Sequence, residues 1–170
     1  GNMASFGRPD IEMGFENNLE LVKKIIEESK AKNILAGGLS ASLIKKHNIK
    51  TELDHGALVP LYYIRKRLKT FKLIHIAIAG LSNEDLYRFG KCIKDAVISS
   101  FERVVFVASG DLSHRLSREA PAGFHRHGKT FDRMLIDRVS KSDVPGILSM
   151  NPAICDNAGE CGLRSFIIMY

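Results

Sequence analysis

The chain has 170 residues, 45% of them apolar and 26% charged, with a formal charge of +6. That is enough for one domain with a real core and too little for two ordinary ones. No apolar run reaches the roughly 18 residues a membrane helix needs, and Gly1–Asp10 lacks the basic-then-apolar layout of an export signal.

The predicted elements alternate between helix and strand, the pattern of an α/β domain. Residues 1–10 read as loop around Gly7 and Pro9. From Glu16 to Lys30 the spacing of Leu19, Val22, Ile25 and Ile26 predicts an amphipathic helix that Asn33 ends. Ile34-Leu35-Ala36 is a short strand candidate, and Ala41–Lys46 a second helix. Asp54 is placed to cap a helix over Ala57–Ile64.

The run Lys72–Ala79, KLIHIAIA, reads as a buried strand. Ser82 or Asn83 caps the next helix, with Leu86, Phe89, Ile93 and Val97 on one face, and Arg103–Ala108 is a second buried strand. Strand, helix and strand make a right-handed βαβ unit, whose second strand runs into Ser109-Gly110-Asp111-Leu112-Ser113-His114. Ligand sites in such sheets lie at the carboxyl ends of strands, which singles out this loop. Downstream, Lys129–Ser140 fits a helix with Phe131, Leu135, Ile136 and Val139 inward. Short helices follow from Asp143 and Asn151, and a last apolar helix begins near Glu160 and runs to Met169.

The three cysteines, Cys92, Cys155 and Cys161, form no CxxC pair; they fit a reducing cytoplasm better than a disulfide framework. The basic excess does not read as a nucleic-acid surface. Lys23-Lys24 is offset by Glu27-Glu28, and the dense run Arg65–Lys69 is expected to be a solvated helix end.

His114, just past a Ser-Gly turn, is placed either to shuttle protons from a cleft or to sit as a capping or surface residue. His55 stands at a helix entry between Asp54 and Gly56, with a structural role as the plainer reading. Glu160 at the start of an apolar helix is either an ordinary N-terminal acid or a hard oxygen ligand for a metal. Cys161 beside it is either a soft ligand or a small buried residue. His125 and His127 belong to a Gly-bounded loop, His75 to a core strand and His47 to the surface, while Cys92 falls on the buried side of its helix.

Three ordered segments carry a resemblance: Leu53–Leu61 (LDHGALVPL), Ala108–Leu116 (ASGDLSHRL) and Ala158–Phe166 (AGECGLRSF). Phe6-Gly7-Arg8-Pro9 and Ala120–His125 agree with it. Together they resemble the catalytic-subunit family of class III extradiol ring-cleavage dioxygenases, in the Memo-like branch often called AmmeMemoRadiSam system proteins. The resemblance implies a three-layer α/β/α domain with a mostly parallel or mixed central sheet. It implies an aromatic diol and O2 as substrates, and Fe(II) held by two histidines and a glutamate, with positions left open for both substrates.

Glu160 matches the metal glutamate, and Cys161 is the alternative ligand, because Memo-like relatives carry Cys-Gly at this place. His114 matches the acid/base histidine, and His55 a histidine that contacts substrate or bound oxygen. Asp54, Asp111 and Ser113 stand beside them as orienting residues.

The sequence departs from the family pattern in having no Pro-His pair. The two metal histidines of the family lie in Pro-His motifs that would fall before Gly1. The expectation is therefore a single domain over 1–170, matching the C-terminal two-thirds of the family domain with the first strand region missing. Fe(II) should be absent or weakly bound, the chain itself inactive, and an exposed sheet edge open to self-association. The other reading is a non-catalytic Memo-like module that binds a peptide or partner, or supports a radical-SAM protein.

Overall fold

The computed structural model describes residues 1–78, 80–120 and 122–170. Ala79 of the expected strand and Pro121 of the Ala120–His125 segment lie outside them. The architecture is mixed α/β dominated by helices: eight α-helices and one two-stranded sheet among the described residues. The chain divides into two compact units, one of Gly1–Ala77 with Asp95–Glu102, the other of Ile78–Lys94 with Arg103–Tyr170.

The first unit opens with an antiparallel hairpin, β1 (Asn2–Met3) and β2 (Arg8–Glu12), in which Asn2 pairs with Glu12 and Met3 with Arg8. A 3-10 turn over Ala4–Phe6 joins the strands. Gly7 closes that turn at φ 72°, a left-handed conformation that glycine adopts without a Cβ penalty.

Helix α1 (Leu19–Ala31) starts where the Asn18 side chain accepts a hydrogen bond from Leu21 N at 3.2 Å. Its buried stripe is Leu21, Ile25 and Ser29. The expected inward Leu19 is 62% exposed. Ser29 tolerates burial because its hydroxyl donates to Ile25 O at 2.7 Å, so a polar residue holds part of the inward stripe. Asn33 does end the helix, at φ 55°.

Helix α2 (Ala41–His47) is capped by Ser40, and α3 (His55–Arg67) by Asp54, whose carboxylate accepts from Ala57 N at 3.0 Å. Leu58 and Leu61 of α3 close on Met13, with Met3, Ile11, Leu53, Ala57 and Phe71 packed around them. The basic run lies in and just beyond the last turn of α3, solvated as expected, where cations meet the negative helix end.

The second unit is a helical core. Helix α4 covers Asn83–Ser100, and its residues Asn83–Lys94 belong to this unit. Ser82 Oγ accepts from Asp85 N at 3.1 Å and donates to its carboxylate at 2.9 Å, a reciprocal cap. Helices α5 (Arg126–Ser140), α6 (Val144–Leu148), α7 (Pro152–Ala158) and α8 (Leu163–Met169) follow. Phe131, Leu135, Ile147, Cys155, Ala158 and Ile167 are buried among them. Ile136, expected inward, is 57% exposed, because Phe131 and Leu135 set the face of α5 one position away.

Three strand expectations need correction. Ile34–Ala36 is irregular, with Ile34 buried and Leu35 exposed. Within 72–78 the pairing is a single parallel bridge from Leu73 to Asn17. The run Arg103–Ala108 belongs to no strand, and Val105 is 85% exposed. β-branched composition favours a sheet only where ladder partners exist, and none is formed along Arg103–Ala108 among the described residues. His75, read as a core residue, is exposed for the same reason.

Candidate functional site

The loop singled out by its position, Ser109–His114, is fastened to the start of α8. Ser165 Oγ donates to Ser109 O at 2.8 Å. Gly110 and Gly162 lie against each other, leaving no room for a side chain on either. This approach brings two residues together: Cys161 N donates to Asp111 O at 3.2 Å, and Asp111 N donates to Cys161 Sγ at 3.1 Å.

Three residues later, His114 Nε2 lies 3.1 Å from Asp111 Oδ2. The donor atoms of Asp111, His114 and Cys161 therefore all fall within 4.8 Å of one another. His114 and Ser113 are half-buried, while Asp111 and Cys161 are exposed.

Beside an ionised carboxylate, the proton of a neutral imidazole belongs on Nε2, which leaves Nδ1 as the acceptor. The pair is thus arranged to take a proton at Nδ1 and to stabilise the resulting imidazolium through Asp111. Cys161 adds a soft donor to one borderline and one hard donor. Cys92 and Cys155 are buried, and all three cysteines are free thiols. Burial first, and then the negative charge of Glu160, push the Cys155 thiol up to about 11, so it stays protonated and inert.

Ser113 is fixed from three sides. Its N–H donates to Asp132 Oδ1 at 2.9 Å, its hydroxyl donates to Ala158 O at 2.7 Å, and the same oxygen accepts from Arg115 N at 3.0 Å. It ties the loop to α5 and α7. Asp132 carries no signal in the sequence: an acid next to a buried Phe on an amphipathic helix gives no hint of a partner 19 residues away.

Glu160 adjoins Cys161 in the chain, yet its carboxylate faces the helix, with Oε2 accepting from Leu163 N at 2.7 Å. It satisfies an orphan donor of α8, the ordinary role for an acid there. His125 is the N-cap of α5, its Nδ1 accepting from His127 N at 3.2 Å. That bond requires the unprotonated nitrogen. Desolvation, followed by the charges of His127, Arg115 and Arg126, holds the His125 ring below the ordinary histidine value.

His55 belongs to the first unit. It is the first residue of α3, exposed, with its ring centroid 5.1 Å from that of Phe6. Asp54 serves the backbone of Ala57. In the sequence Phe6 is only one letter of a short motif, because its stacking depends on how the hairpin folds back. The structure thus brings together Asp111, His114 and Cys161, sets Ser113 behind them, and turns Glu160 to a cap.

A family model described as the catalytic LigB subunit of aromatic ring-opening dioxygenase matches residues 2–170. Protein CA_C1420 of Clostridium acetobutylicum is 40% identical over 169 residues, 99% of this chain and 36% of its own length. A MEMO1 family protein of Methanosarcina acetivorans is 27% identical over 129 residues, covering 75% of this chain and 45% of its own length. A MEMO1 family protein of Methanosarcina barkeri is 29% identical over 129 residues, 75% of this chain and 45% of its own length. The chain thus spans less than half the length of these relatives.

Proposed function

The chain belongs to the family of catalytic LigB subunits of aromatic ring-opening dioxygenases, in its Memo-like branch, and from that premise we propose that it carries the proton-handling part of an extradiol, class III type site. The substrates proposed are a catechol-type diol and O2, and ring opening is proposed for a protein of the relatives' length. The observation that carries this reading is the Asp111–His114 pair beside Cys161.

In the proposed reaction His114 Nδ1 removes a proton from a phenolic hydroxyl and later returns one to the ring-opened product. Asp111 holds the imidazole in the required tautomer and balances its charge while it is protonated. Ser113, bonded to α5 and α7, keeps the loop from drifting. Such positioning matters because a shift of about 1 Å at the reacting groups can cost on the order of a hundredfold in rate. His55, with Asp54 at its helix cap, is proposed to face the diol or the bound oxygen.

The family metal is Fe(II), and the gathered donors do not fit its set of two histidines and one carboxylate. They are one imidazole, one carboxylate and one thiol; the imidazole is bonded to that carboxylate, and Glu160 is bonded to Leu163 N. Between Glu160 and Cys161, this arrangement favours Cys161, whose sulfur lies within 4.8 Å of the donor atoms of Asp111 and His114.

The three-layer α/β/α arrangement and a reducing cytoplasmic setting belong to the same proposal; the family match supports the first and the three free thiols the second. No helix among the described residues is long and apolar enough to cross a membrane.

A second reading, a non-catalytic module that holds a peptide or partner or works beside a radical-SAM protein, is favoured by the mixed donor set at Cys161. The test that separates them is cleavage of catechol or protocatechuate by a protein of the relatives' length, with His114→Ala as control. Absence of a yellow ring-opened product from the unaltered protein would leave the binding-module reading in its place.

A further inference from the structure

We infer that Phe6 is a positioning residue for His55, holding the imidazole at the start of α3 in one orientation. The inference rests on the reading in which His55 faces the diol or bound oxygen. Four observations within the first unit carry it.

The His55 ring is exposed on the first residue of a helix, and among the described residues no hydrogen bond is formed by its nitrogens. A side chain so placed samples several rotamers, so whatever orients it must come from packing. The ring that meets it is Phe6, at 5.1 Å between centroids with the planes inclined at 45°. That is the range in which aromatic pairs attract, by enough to favour one rotamer roughly tenfold at most.

Phe6 is itself held by a closed hairpin. Gly1 N donates to Met13 O at 2.9 Å and Met13 N donates back to Gly1 O at 2.9 Å, which ties the two sides of the arm together. Met3 and Ile11 press the arm onto the Met13–Leu58–Leu61 cluster that includes α3 itself. At the tip, Gly7 N donates to Ala4 O at 3.0 Å in a left-handed turn directly after Phe6.

The neighbouring cation does not compete for the ring. Arg8 is committed to Asp10 through two bonds, at 2.8 and 2.6 Å. A large aromatic residue that stays 57% exposed gains little by burial. Its contact with an otherwise unrestrained imidazole accounts for its place at the tip.

The experiment is proton NMR of the histidine ring signals in the 170-residue chain, with His55→Gln to assign the His55 pair. In the unaltered chain those protons should show cross-relaxation to Phe6 and an upfield ring-current displacement. Both should vanish in Phe6→Leu and return in Phe6→Tyr, while the Leu58 and Leu61 methyl signals stay in place. Absence of the cross-peak in the unaltered chain, or His55 signals indifferent to Phe6→Leu, would overturn the inference. If Phe6→Leu fails to fold, the unaltered chain and Phe6→Tyr decide it alone. Catechol is then titrated into a protein of the relatives' length, the form for which ring opening is proposed: His55 signals that move support the diol reading. Signals that stay still, with the Phe6 effects intact, remove the diol reading and leave the positioning contact standing.

Discussion

Gly110 and Gly162 meet backbone to backbone: a Cβ on Gly110 would lie 2.8 Å from the Cys161 carbonyl oxygen, and one on Gly162 would lie 2.9 Å from that of Asp111. This contact sets the distance between the Asp111–His114 loop and the thiol of Cys161. Since backbone atoms line both sides, neither glycine can be enlarged by moving a flexible side chain. Gly110→Ala or Gly162→Ala should therefore destabilise the chain by about 1–3 kcal/mol, the usual cost of overpacking. Either change should also loosen Cys161, so thiol labelling should quicken under native conditions. Unaltered stability and labelling would mean that the two segments are not held this closely.

Ser113 adjoins His114, and its place in the motif suggests that it orients the chemistry. Its bonds show that it does so by tying the loop down. Ser113→Ala removes a donor to Ala158 O and an acceptor for Arg115 N in a half-buried setting. The expected loss is ~1–3 kcal/mol, because a half-buried carbonyl and an N–H are left without this partner. Urea unfolding measures it. A stability change near zero would return Ser113 to the surface.

Metal retention should distinguish Cys161 from its neighbour. After anaerobic loading with Fe(II) and desalting, the 170-residue chain is expected to keep well under one equivalent. Three donors of mixed hardness, two of them bonded to each other, make a poor iron site. What is retained should fall further in Cys161→Ser and stay unchanged in Glu160→Gln, whose amide oxygen can still accept from Leu163 N. Near-stoichiometric iron would overturn the expectation. Dependence on Glu160 alone would restore the carboxylate as the ligand.

The parts of the fold legible in the sequence are those decided locally. Ser82 and Asp54 carry cap chemistry within three residues of the groups they satisfy, and both helices begin where the sequence places them to within a few residues. The left-handed residue after α1, Asn33, is another such signal. The two apolar runs look like buried strands in sequence but form no ladder among the described residues, because sheet formation depends on partners that the residues of a run do not reveal. In the site, His114 and Asp111 are visible as neighbours three apart. Cys161 sits 50 residues from Asp111 in sequence, and only the close approach of two glycines brings it there. Sequence does not separate Glu160 from Cys161, since choosing between them requires knowing which way the carboxylate points.

The N-cap at His125 gives the chain an acid-sensitive point. Its Nδ1 accepts from His127 N, and protonation would replace that acceptor with a donor at the positive end of α5, beside His127, Arg115 and Arg126. Because the ring's folded-state value lies below its ordinary one, the native state disfavours the charged form. At high pH the ring is neutral in both states and contributes no pH dependence. As pH falls through the ordinary histidine value of about 6.5, the unfolded chain takes up the proton first and stability declines. The decline ends once pH has passed below the lowered folded value. His125→Asn keeps a side-chain oxygen for the cap and cannot be charged, so its stability between pH 7 and 5 should fall less steeply than that of the unaltered chain. Parallel thermal melts across that range measure the difference, and identical slopes would place the acid-sensitive group elsewhere.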